Sequence, residues 1–176
     1  MFVHKLFQNL MLIASLVVVP VITKADNLFA ELSYLDMDVS VGSQTYSPTL
    51  SKVAIGWQID ERFSAEFHTS ISSSDDQVNT LSAEVTNLQA LMLRYGSPIA
   101  ENSHFYLALG VSNLELDVNG VVTQSSESYG DVAWGFGLQE RLQSAEGLWV
   151  SFEFLEYYRN EDLAITSYSL GLRYDF

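Results

Sequence analysis

The chain has 176 residues, no cysteine and a formal net charge of −14. Disulfide bonds and thiolate metal sites are therefore excluded, and so acidic a chain is not expected to bind nucleic acid, because phosphate contacts need Lys and Arg. Hydrophobic residues make up 48% of the sequence, yet beyond residue 25 no apolar run approaches the roughly 20 residues of a helical membrane span.

Residues 1–25 are predicted to be an export signal rather than part of the fold. Lys5 gives the start of the chain a positive charge, residues 10–22 form an apolar run, and Thr23-Lys24-Ala25 provides a small-residue cleavage site. The apolar run is too short for a membrane anchor, which needs about 20 residues. We therefore expect cleavage before Asp26 and a mature domain formed by residues 26–176.

The rest of the chain contains eight segments in which apolar and polar side chains alternate with a period of two. This period is typical of β-strands with one apolar face. In the first segment, Leu28, Leu32 and Tyr34 share one face, and Glu31 and Ser33 share the other. The eight predicted strands are, in chain order, residues 28–35, 50–59, 63–71, 85–95, 105–112, 131–139, 148–154 and 168–176.

The predicted connections alternate between long and short. Long polar loops are predicted at residues 36–49, 72–83 and about 115–128, and the last loop at 157–164. Short turns are predicted at 60–62, beginning at 96–98, and at 141–147. Asn119-Gly120, within the third long loop, is a typical hairpin dipeptide. This alternation places both ends of the chain at the same end of an up-and-down barrel, the end with short turns.

The last predicted strand carries the most specific pattern. Its apolar face ends in two aromatic residues, and its other face is small or charged. This pattern resembles the closing strand, or assembly signal, of bacterial outer-membrane β-barrels. The resemblance implies insertion by the outer-membrane assembly machinery. The residues that match the signal are Ser169, Gly171, Tyr174 and Phe176.

A period of two does not show which face points outward, so a soluble barrel of the lipocalin type is the rival interpretation. Such a barrel would bind a small molecule and keep its apolar face inside. The polar face is rich in Gly, Ala and Ser, and Lys52 is the only lysine after residue 25. Small residues fit a narrow lumen, whereas a surface that faces water would more often carry long side chains such as Lys. Aromatic residues also cluster near the strand ends of the apolar face, as at membrane interfaces: Tyr34, Trp57, Phe63, Tyr95, Phe105, Trp134, Tyr168, Tyr174 and Phe176.

Over residues 26–176 the arrangement resembles the small eight-stranded outer-membrane barrels, namely the membrane domain of outer membrane protein A and the outer membrane protein X class. The resemblance implies an all-β, eight-stranded antiparallel up-and-down transmembrane barrel in the cell outer membrane. Both termini would lie on the periplasmic side, with the long acidic loops outside. It also implies contact with outer-membrane lipids and lipopolysaccharide. We expect a monomer with a structural or surface-interaction role.

Several ionisable residues fall on the inward face of the predicted strands, and we expect six of them to form a network. Eight strands leave an interior just wide enough for side chains, and an unpaired charge there is costly. We therefore expect a plugged lumen in which Arg94 and Arg173 pair with glutamates. The predicted lumen network consists of Glu31, Glu66, His68, Arg94, Glu153 and Arg173.

A lipid-modifying enzyme is the remaining alternative, since His68-x-Ser70 resembles the His/Ser pair of the outer-membrane lipid A deacylases. However, no Asn follows Ser70, Glu84 is predicted in or beside a loop, and His68 shares the inward face with Glu66. A triad that acts on lipid must face the bilayer. The acidic loops also lack an ordered carboxylate pattern such as an EF-hand. We therefore expect no catalytic residues, no cofactor and no metal site.

Overall fold

The computed structural model describes residues 27–42, 44–74, 76–78, 81–119 and 124–176. The predicted export signal at 1–25, Asp26, and the loop residues Asp75 and Gly120 lie outside this part of the chain. No helix within the described residues is long and apolar enough to cross a membrane. The described strands are β1 (Leu28–Val41), β2 (Gln44–Tyr46), β3 (Thr49–Gln58), β4 (Phe63–Ser74), β5 (Asp76–Val78), β6 (Leu81–Ala100), β7 (Ser103–Asn119), β8 (Gln124–Arg141), β9 (Leu148–Arg159) and β10 (Leu163–Asp175).

Eight of these strands form a closed antiparallel barrel. Each of β1, β3, β4, β6, β7, β8, β9 and β10 pairs with its neighbour in this order, and β10 pairs with β1 to close the ring. The closing register runs from Phe29 opposite Asp175 to Val41 opposite Leu163. The short strands β2 and β5 extend the edges of β1 and β6. The predicted eight-stranded up-and-down topology is confirmed.

The two ends of the barrel differ in how the strands are joined. At one end, which we call the turn end, residues 59–62, 101–102 and 142–147 connect β3 to β4, β6 to β7 and β8 to β9. Asn27 and Phe176 also lie there, and the Phe176 N–H donates to the carbonyl of Leu28 at 3.0 Å. The opposite end, which we call the loop end, carries the other four connections. Strands β6, β7 and β8, with 20, 17 and 18 residues, are the longest.

The strands are longer than the sequence predicts, mainly towards the loop end. β1 continues to Val41, so most of the predicted loop at 36–49 belongs to β1, β2 and the start of β3. β7 and β8 likewise take up most of the predicted loop at 115–128, and β4, β5 and β6 most of 72–83. The turn predicted to begin at 96–98 begins later, because residues 96–100 belong to β6 and the chain turns at 101–102. β9 and β10 also extend into the predicted last loop at 157–164.

The outer wall is apolar from the turn end to beyond the middle of the barrel. Leu109 and Leu170, for example, keep 60% and 61% of their surface exposed. Aromatic side chains mark both borders of this apolar band, with Trp57, Phe63 and Tyr95 near the turn end and Tyr34, Trp134 and Tyr168 on the other side. The face that the lipocalin interpretation needs inside therefore points outward, and that interpretation is wrong.

The interior has two layers of opposite character. Towards the turn end it holds buried charged residues, described below. Towards the loop end the inward side chains are apolar, and they form a packed core that includes Leu35, Met37, Leu50, Leu114 and Tyr157, each with no exposed surface. Outward residues at this level are polar, such as Asp36 and Asn113. The barrel thus changes from a polar interior with an apolar wall to an apolar interior with a polar wall.

Candidate functional site: an ion cluster in the lumen

Five charged side chains from five strands meet near the middle of the lumen. They are Glu31 on β1, Lys52 on β3, Glu66 on β4, Arg94 on β6 and Glu153 on β9, and none is more than 3% exposed at its side chain. All five point inward because they share the parity of the small residues on their strands. We call this group the ion cluster.

Arg94 is the centre of the ion cluster. Its Nε lies 2.5 Å from Glu66 Oε1, its Nη2 donates to Glu153 Oε2 at 2.6 Å, and its Nη1 lies 3.5 Å from Glu31 Oε2. One guanidinium therefore spans three carboxylates on three separate strands. A planar guanidinium with five donors suits such a position, whereas an ammonium would reach fewer acceptors at once.

Lys52 supplies the second permanent cation. Its Nζ donates to Glu153 Oε1 at 2.5 Å and lies 3.9 Å from Glu31 Oε1. Glu153 thus uses one carboxylate oxygen for Lys52 and the other for Arg94. Three carboxylates of the ion cluster thus face only two permanent cations. His68 provides a further polar contact, because its Nε2 lies 2.7 Å from Glu66 Oε1.

Neutral groups complete the surroundings of the ion cluster. Ser33 and Ser151 donate hydrogen bonds to Glu31 Oε1 at 2.8 and 3.0 Å. Tyr106 donates to Glu153 Oε2 at 3.0 Å, and the Arg94 guanidinium lies 4.3 Å from the centre of the Tyr106 ring. These bonds hold the buried carboxylates in fixed orientations, which reduces the free energy that burial of their charge would otherwise require.

Two glycines leave space for this arrangement. A Cβ at Gly171 would overlap the side chains of Ser33, Ser151 and Glu31, and a Cβ at Gly137 would overlap the Tyr106 ring. The small residues on the inward face are therefore required by the bulk of the side chains that cross the lumen.

The structure brings five of the six predicted lumen residues together: Glu31, Glu66, His68, Arg94 and Glu153. Arg173 is the exception, and the expectation that it pairs with a glutamate is wrong. Its Nε donates to Asp175 Oδ1 at 2.7 Å, and its guanidinium lies 3.6 Å from the centre of the Phe29 ring. The prediction also missed Lys52 as a member of the cluster. The sequence alone places Lys52 on the inward face of its strand and shows that it is the only lysine after residue 25.

The residues that match the assembly signal divide between the two faces of β10. Ser169 and Gly171 point into the lumen, whereas Tyr174 and Phe176 point outward at the turn end, where about half of each side chain is exposed. The four residues thus comprise two small inward residues and an outward aromatic pair whose rings lie 5.3 Å apart.

His68 and Ser70 both point into the lumen and are buried, with 0% and 3% exposure. They lie on the side of the wall opposite to the apolar outer face, so they are not placed to attack a lipid in contact with that face. Within the described residues, no group of three or more His, Asp and Glu side chains is arranged to hold a metal ion.

Comparison with known proteins gives the family. Residues 12–176 match the family described as "Outer membrane protein beta-barrel domain". The chain therefore belongs to this family of outer-membrane barrels, and it is a protein of the cell outer membrane. No curated protein matches the sequence.

Three solved structures with the same fold are outer-membrane barrels of low sequence identity. The attachment invasion locus protein Ail of Yersinia pestis matches with a TM-score of 0.64 and 13% identity, over 84% of this chain and 97% of that chain. Neisserial surface protein A matches with a TM-score of 0.60 and 13% identity, over 85% and 97%. The N-terminal β-barrel domain of Pseudomonas aeruginosa OprF matches with 0.55 and 12%, over 82% and 97%. The apolar outer wall is thus the surface that faces the membrane.

Proposed function

We propose that this protein is a closed, non-conducting outer-membrane barrel that supports an interaction surface at its loop end. The observation that carries this proposal is the ion cluster, which joins β1, β3, β4, β6 and β9 across the lumen. Three carboxylates converge on Arg94, and Lys52 links two of them. A solute that passed through would have to separate these pairs, which is unfavourable in a site that excludes water.

The apolar core above the ion cluster is a second barrier. Side chains such as Leu35, Leu114 and Tyr157 fill the lumen towards the loop end. A hydrated ion would have to lose its water shell to enter this layer, and the transfer of an unpaired charge into an apolar environment is strongly unfavourable. Two barriers of different chemistry in series support a structural role rather than diffusion of solutes.

The loop end is the surface at which we expect the function. Outer-membrane barrels have short periplasmic turns and long outer loops, so the loop end is proposed to lie outside the cell. Its exposed residues are rich in carboxylates, and we infer that it binds a partner with net positive charge, because complementary charge favours association. The exposed acidic residues described at this end are Asp36, Glu115, Glu127, Asp131, Glu161 and Asp162.

Three further parts of the proposal concern the surroundings of the barrel. The apolar wall is in contact with outer-membrane lipids and lipopolysaccharide. The outward pair Tyr174 and Phe176 is recognised by the outer-membrane assembly machinery. The barrel acts as a monomer, because its ring of strands is closed and leaves no unpaired barrel edge at the level of the membrane.

Conductance in planar bilayers tests the proposal. The purified protein is added to a membrane in which a general porin, as positive control, gives large steady steps. We expect no steady current from this protein at neutral pH over the voltage range in which the porin conducts. A stable, porin-sized current from monomeric protein would contradict the closed lumen and would favour diffusion of small solutes as the function.

A further inference from the structure

Below the ion cluster, the lumen opens at the turn end into a cavity of about 610 Å³. We call this cavity the vestibule. Its volume lies within the range of about 300–1,000 Å³ that small-molecule sites occupy. Its wall includes Gln58, His104, Gln139, Trp149 and Arg173. Arg94 and Tyr106 line its inner end, so the vestibule is a blind cavity rather than part of a channel.

Gln139 is a buried amide with an unused donor. It is 8% exposed, and its Nε2 has no hydrogen-bond partner among the described residues. A buried polar group without a partner is unfavourable, so such groups are uncommon and mark places where another partner belongs. Gln139 lines the vestibule, but its Nε2 is itself buried, so the amide must turn towards the cavity before a ligand can accept its N–H.

The strand register places Gln139 next to the other polar groups of the vestibule. Across β7 and β8 it lies opposite His104, and across β8 and β9 opposite Ser151. Two residues from Ser151, Trp149 lies opposite Arg173 on β10. An amide, an imidazole, an indole and a guanidinium thus lie on four adjacent strands at one level of the lumen.

The acceptors deep in the vestibule are already occupied. Asp175 accepts from Arg173 Nε through Oδ1 at 2.7 Å and from Trp149 Nε1 through Oδ2 at 2.8 Å. Gln58 Oε1 accepts from Arg173 Nη2 at 3.1 Å. A guanidinium has five N–H donors, so Arg173 has donors left after these two bonds. Glu61, Arg62 and the terminal residue Phe176 also line the vestibule, at its mouth in the turn end. At the depth of Gln139 and Arg173 the wall offers donors, and a complementary ligand must bring an acceptor to that level.

The same wall provides a flat surface. The rings of His104 and Trp149 are stacked, with their centres 5.2 Å apart and an angle of 25° between their planes. Stacked aromatic side chains form a rigid platform for a planar ligand. The orientation of Trp149 is fixed by its bond to Asp175, so this platform is already formed without a ligand.

From these observations we propose that the vestibule binds a small carboxylate attached to a planar ring. The carboxylate accepts from Gln139 Nε2 and from the Arg173 guanidinium, and the ring packs against the His104–Trp149 pair. A carboxylate is favoured over a neutral carbonyl because hydrogen bonds between charged partners are roughly twice as strong. In the proposed orientation of the barrel, such a ligand enters from the periplasm.

Titration with sodium benzoate, followed by NMR of the indole N–H groups, tests this site in the full barrel in detergent micelles. Benzamide is the matched neutral probe, because it has the same ring and size. We expect benzoate to shift the Trp149 resonance until saturation and benzamide to bind at least about tenfold more weakly. Trp57 and Trp134 report on non-specific partition into the micelle, because both are on the outer wall, 58% and 46% exposed.

Gln139→Glu is the decisive variant, because it replaces the free donor by a carboxylate that repels the probe. Gln89→Glu makes the same chemical change at an exposed outward position of β6. We expect Gln139→Glu to weaken benzoate binding at least about tenfold and Gln89→Glu to leave it unchanged. The proposal is contradicted if benzoate gives no saturable shift of Trp149, if benzamide binds equally well, or if a folded Gln139→Glu protein binds like the wild type. Because the two probes are compared on the wild type, the test does not depend on the variant. It is also independent of whether the barrel conducts.

Discussion

Arg94 is the residue on which the buried charges of the lumen depend. It contacts three carboxylates, and no other cation in the ion cluster contacts more than two. We predict that Arg94→Ala lowers the free energy of unfolding in detergent by about 3–5 kcal/mol, because it leaves buried carboxylates without their main partner. The measurement is equilibrium unfolding followed by tryptophan fluorescence.

Arg159→Ala is the matched control for this prediction. Arg159 also contacts a carboxylate at 2.6 Å, that of Glu156, but here the cation is 60% exposed while the carboxylate is 11% exposed. Because water reaches the cation and screens the pair, Arg159→Ala should cost clearly less than Arg94→Ala, on the order of 1 kcal/mol. Arg173→Ala should lie between the two, because Asp175, its partner, is 37% exposed. Equal losses for Arg94→Ala and Arg159→Ala would show that the ion cluster is hydrated rather than buried.

Asp60 in the turn between β3 and β4 gives a prediction about pH. The backbone N–H groups of Arg62 and Phe63 both donate to its Oδ1 at 2.7 Å, and these bonds lower the pKa of the carboxyl. A lowered pKa in the folded state means that the ionised form stabilises the fold. This stabilisation is complete above the ordinary pKa of about 3.9 and is lost as the pH falls through the lowered value.

We therefore predict that Asp60→Asn is less stable than the wild type at pH 7 and that the difference decreases below about pH 4. Unfolding curves of both proteins at several pH values measure it. Glu61→Gln, in the same turn but without these bonds, is the control, and its effect should not follow the same pH dependence. A difference for Asp60→Asn that stays constant down to about pH 2 would contradict the role of the carboxylate charge.

Parity in the sequence identified most of the ion cluster but not its pairing. Because a strand alternates its faces, Glu31, Glu66, Arg94 and Glu153 could be placed inside without a structure. Which groups meet depends on the stagger of the strands, and this is not encoded locally. Arg173 illustrates this, because we expected it to pair with a glutamate on another strand. Its partner in the structure is Asp175, which lies two residues away on the same face of the same strand.

At the level of the strands, the inward face changes from polar to apolar towards the loop end. This change explains why the strands were predicted to end too early. Tyr34 points outward and the next residue, Leu35, points inward, so two successive apolar residues mark the change on β1. Phe154 and Leu155 do the same on β9. Beyond these points the period of two continues with the apolar residues on the other face. A search for one apolar face therefore ends too early and assigns the remaining strand to a loop.

The apolar core at the loop end should behave like the core of a soluble protein. We predict that Leu114→Ala lowers the free energy of unfolding by about 2–5 kcal/mol, because it removes a fully buried side chain and leaves a cavity. Its neighbour Asn113 points outward and is exposed, and Asn113→Ala should change stability by about 0.5 kcal/mol or less. Denaturant unfolding of both variants measures the difference. Similar small effects would indicate that this layer is loosely packed.

The closing strand gives a prediction about assembly. Phe176 points outward at the turn end, beside Tyr174, and about half of its surface is exposed. Deletion of Phe176 should reduce the amount of folded barrel in the outer membrane more than Leu170→Ala does, although Leu170 is also on the apolar wall. Quantitative blots of outer-membrane fractions, with heated and unheated samples, measure folded protein. Equal amounts for the two variants would remove the special role of the terminus.

For the molecule as a whole, the number of strands, their antiparallel order and the outward apolar face all followed from the sequence. Two properties made this possible. A period of two is a strong signal when a membrane lies on one side and a narrow lumen on the other, and the closing pattern from Ser169 to Phe176 is more specific than composition. The vestibule could not be predicted, because it depends on the position of Gln139 relative to residues on three other strands.

Cleavage of the predicted export signal determines where the mature protein begins. We predict that the protein isolated from the outer membrane begins at Asp26, since Thr23 and Ala25 fit the small-residue positions of a cleavage site. Mass spectrometry of the intact protein measures its N-terminus directly. Ala25→Leu should slow cleavage, and Asn27→Leu, beyond the predicted site, should not. Intact Met1 on the protein in the outer membrane would contradict the prediction.

The polar wall at the loop end affects how fast the barrel can enter a bilayer. If both termini stay in the periplasm, outward carboxylates such as Asp36 and Glu115 must cross the hydrocarbon layer before the strands reach their final depth. An ionised aspartate at the centre of a bilayer is unfavourable by about 2.5–3.5 kcal/mol, and several cross together. In that orientation, the extended strands impose a kinetic barrier on spontaneous insertion that shorter strands would not impose.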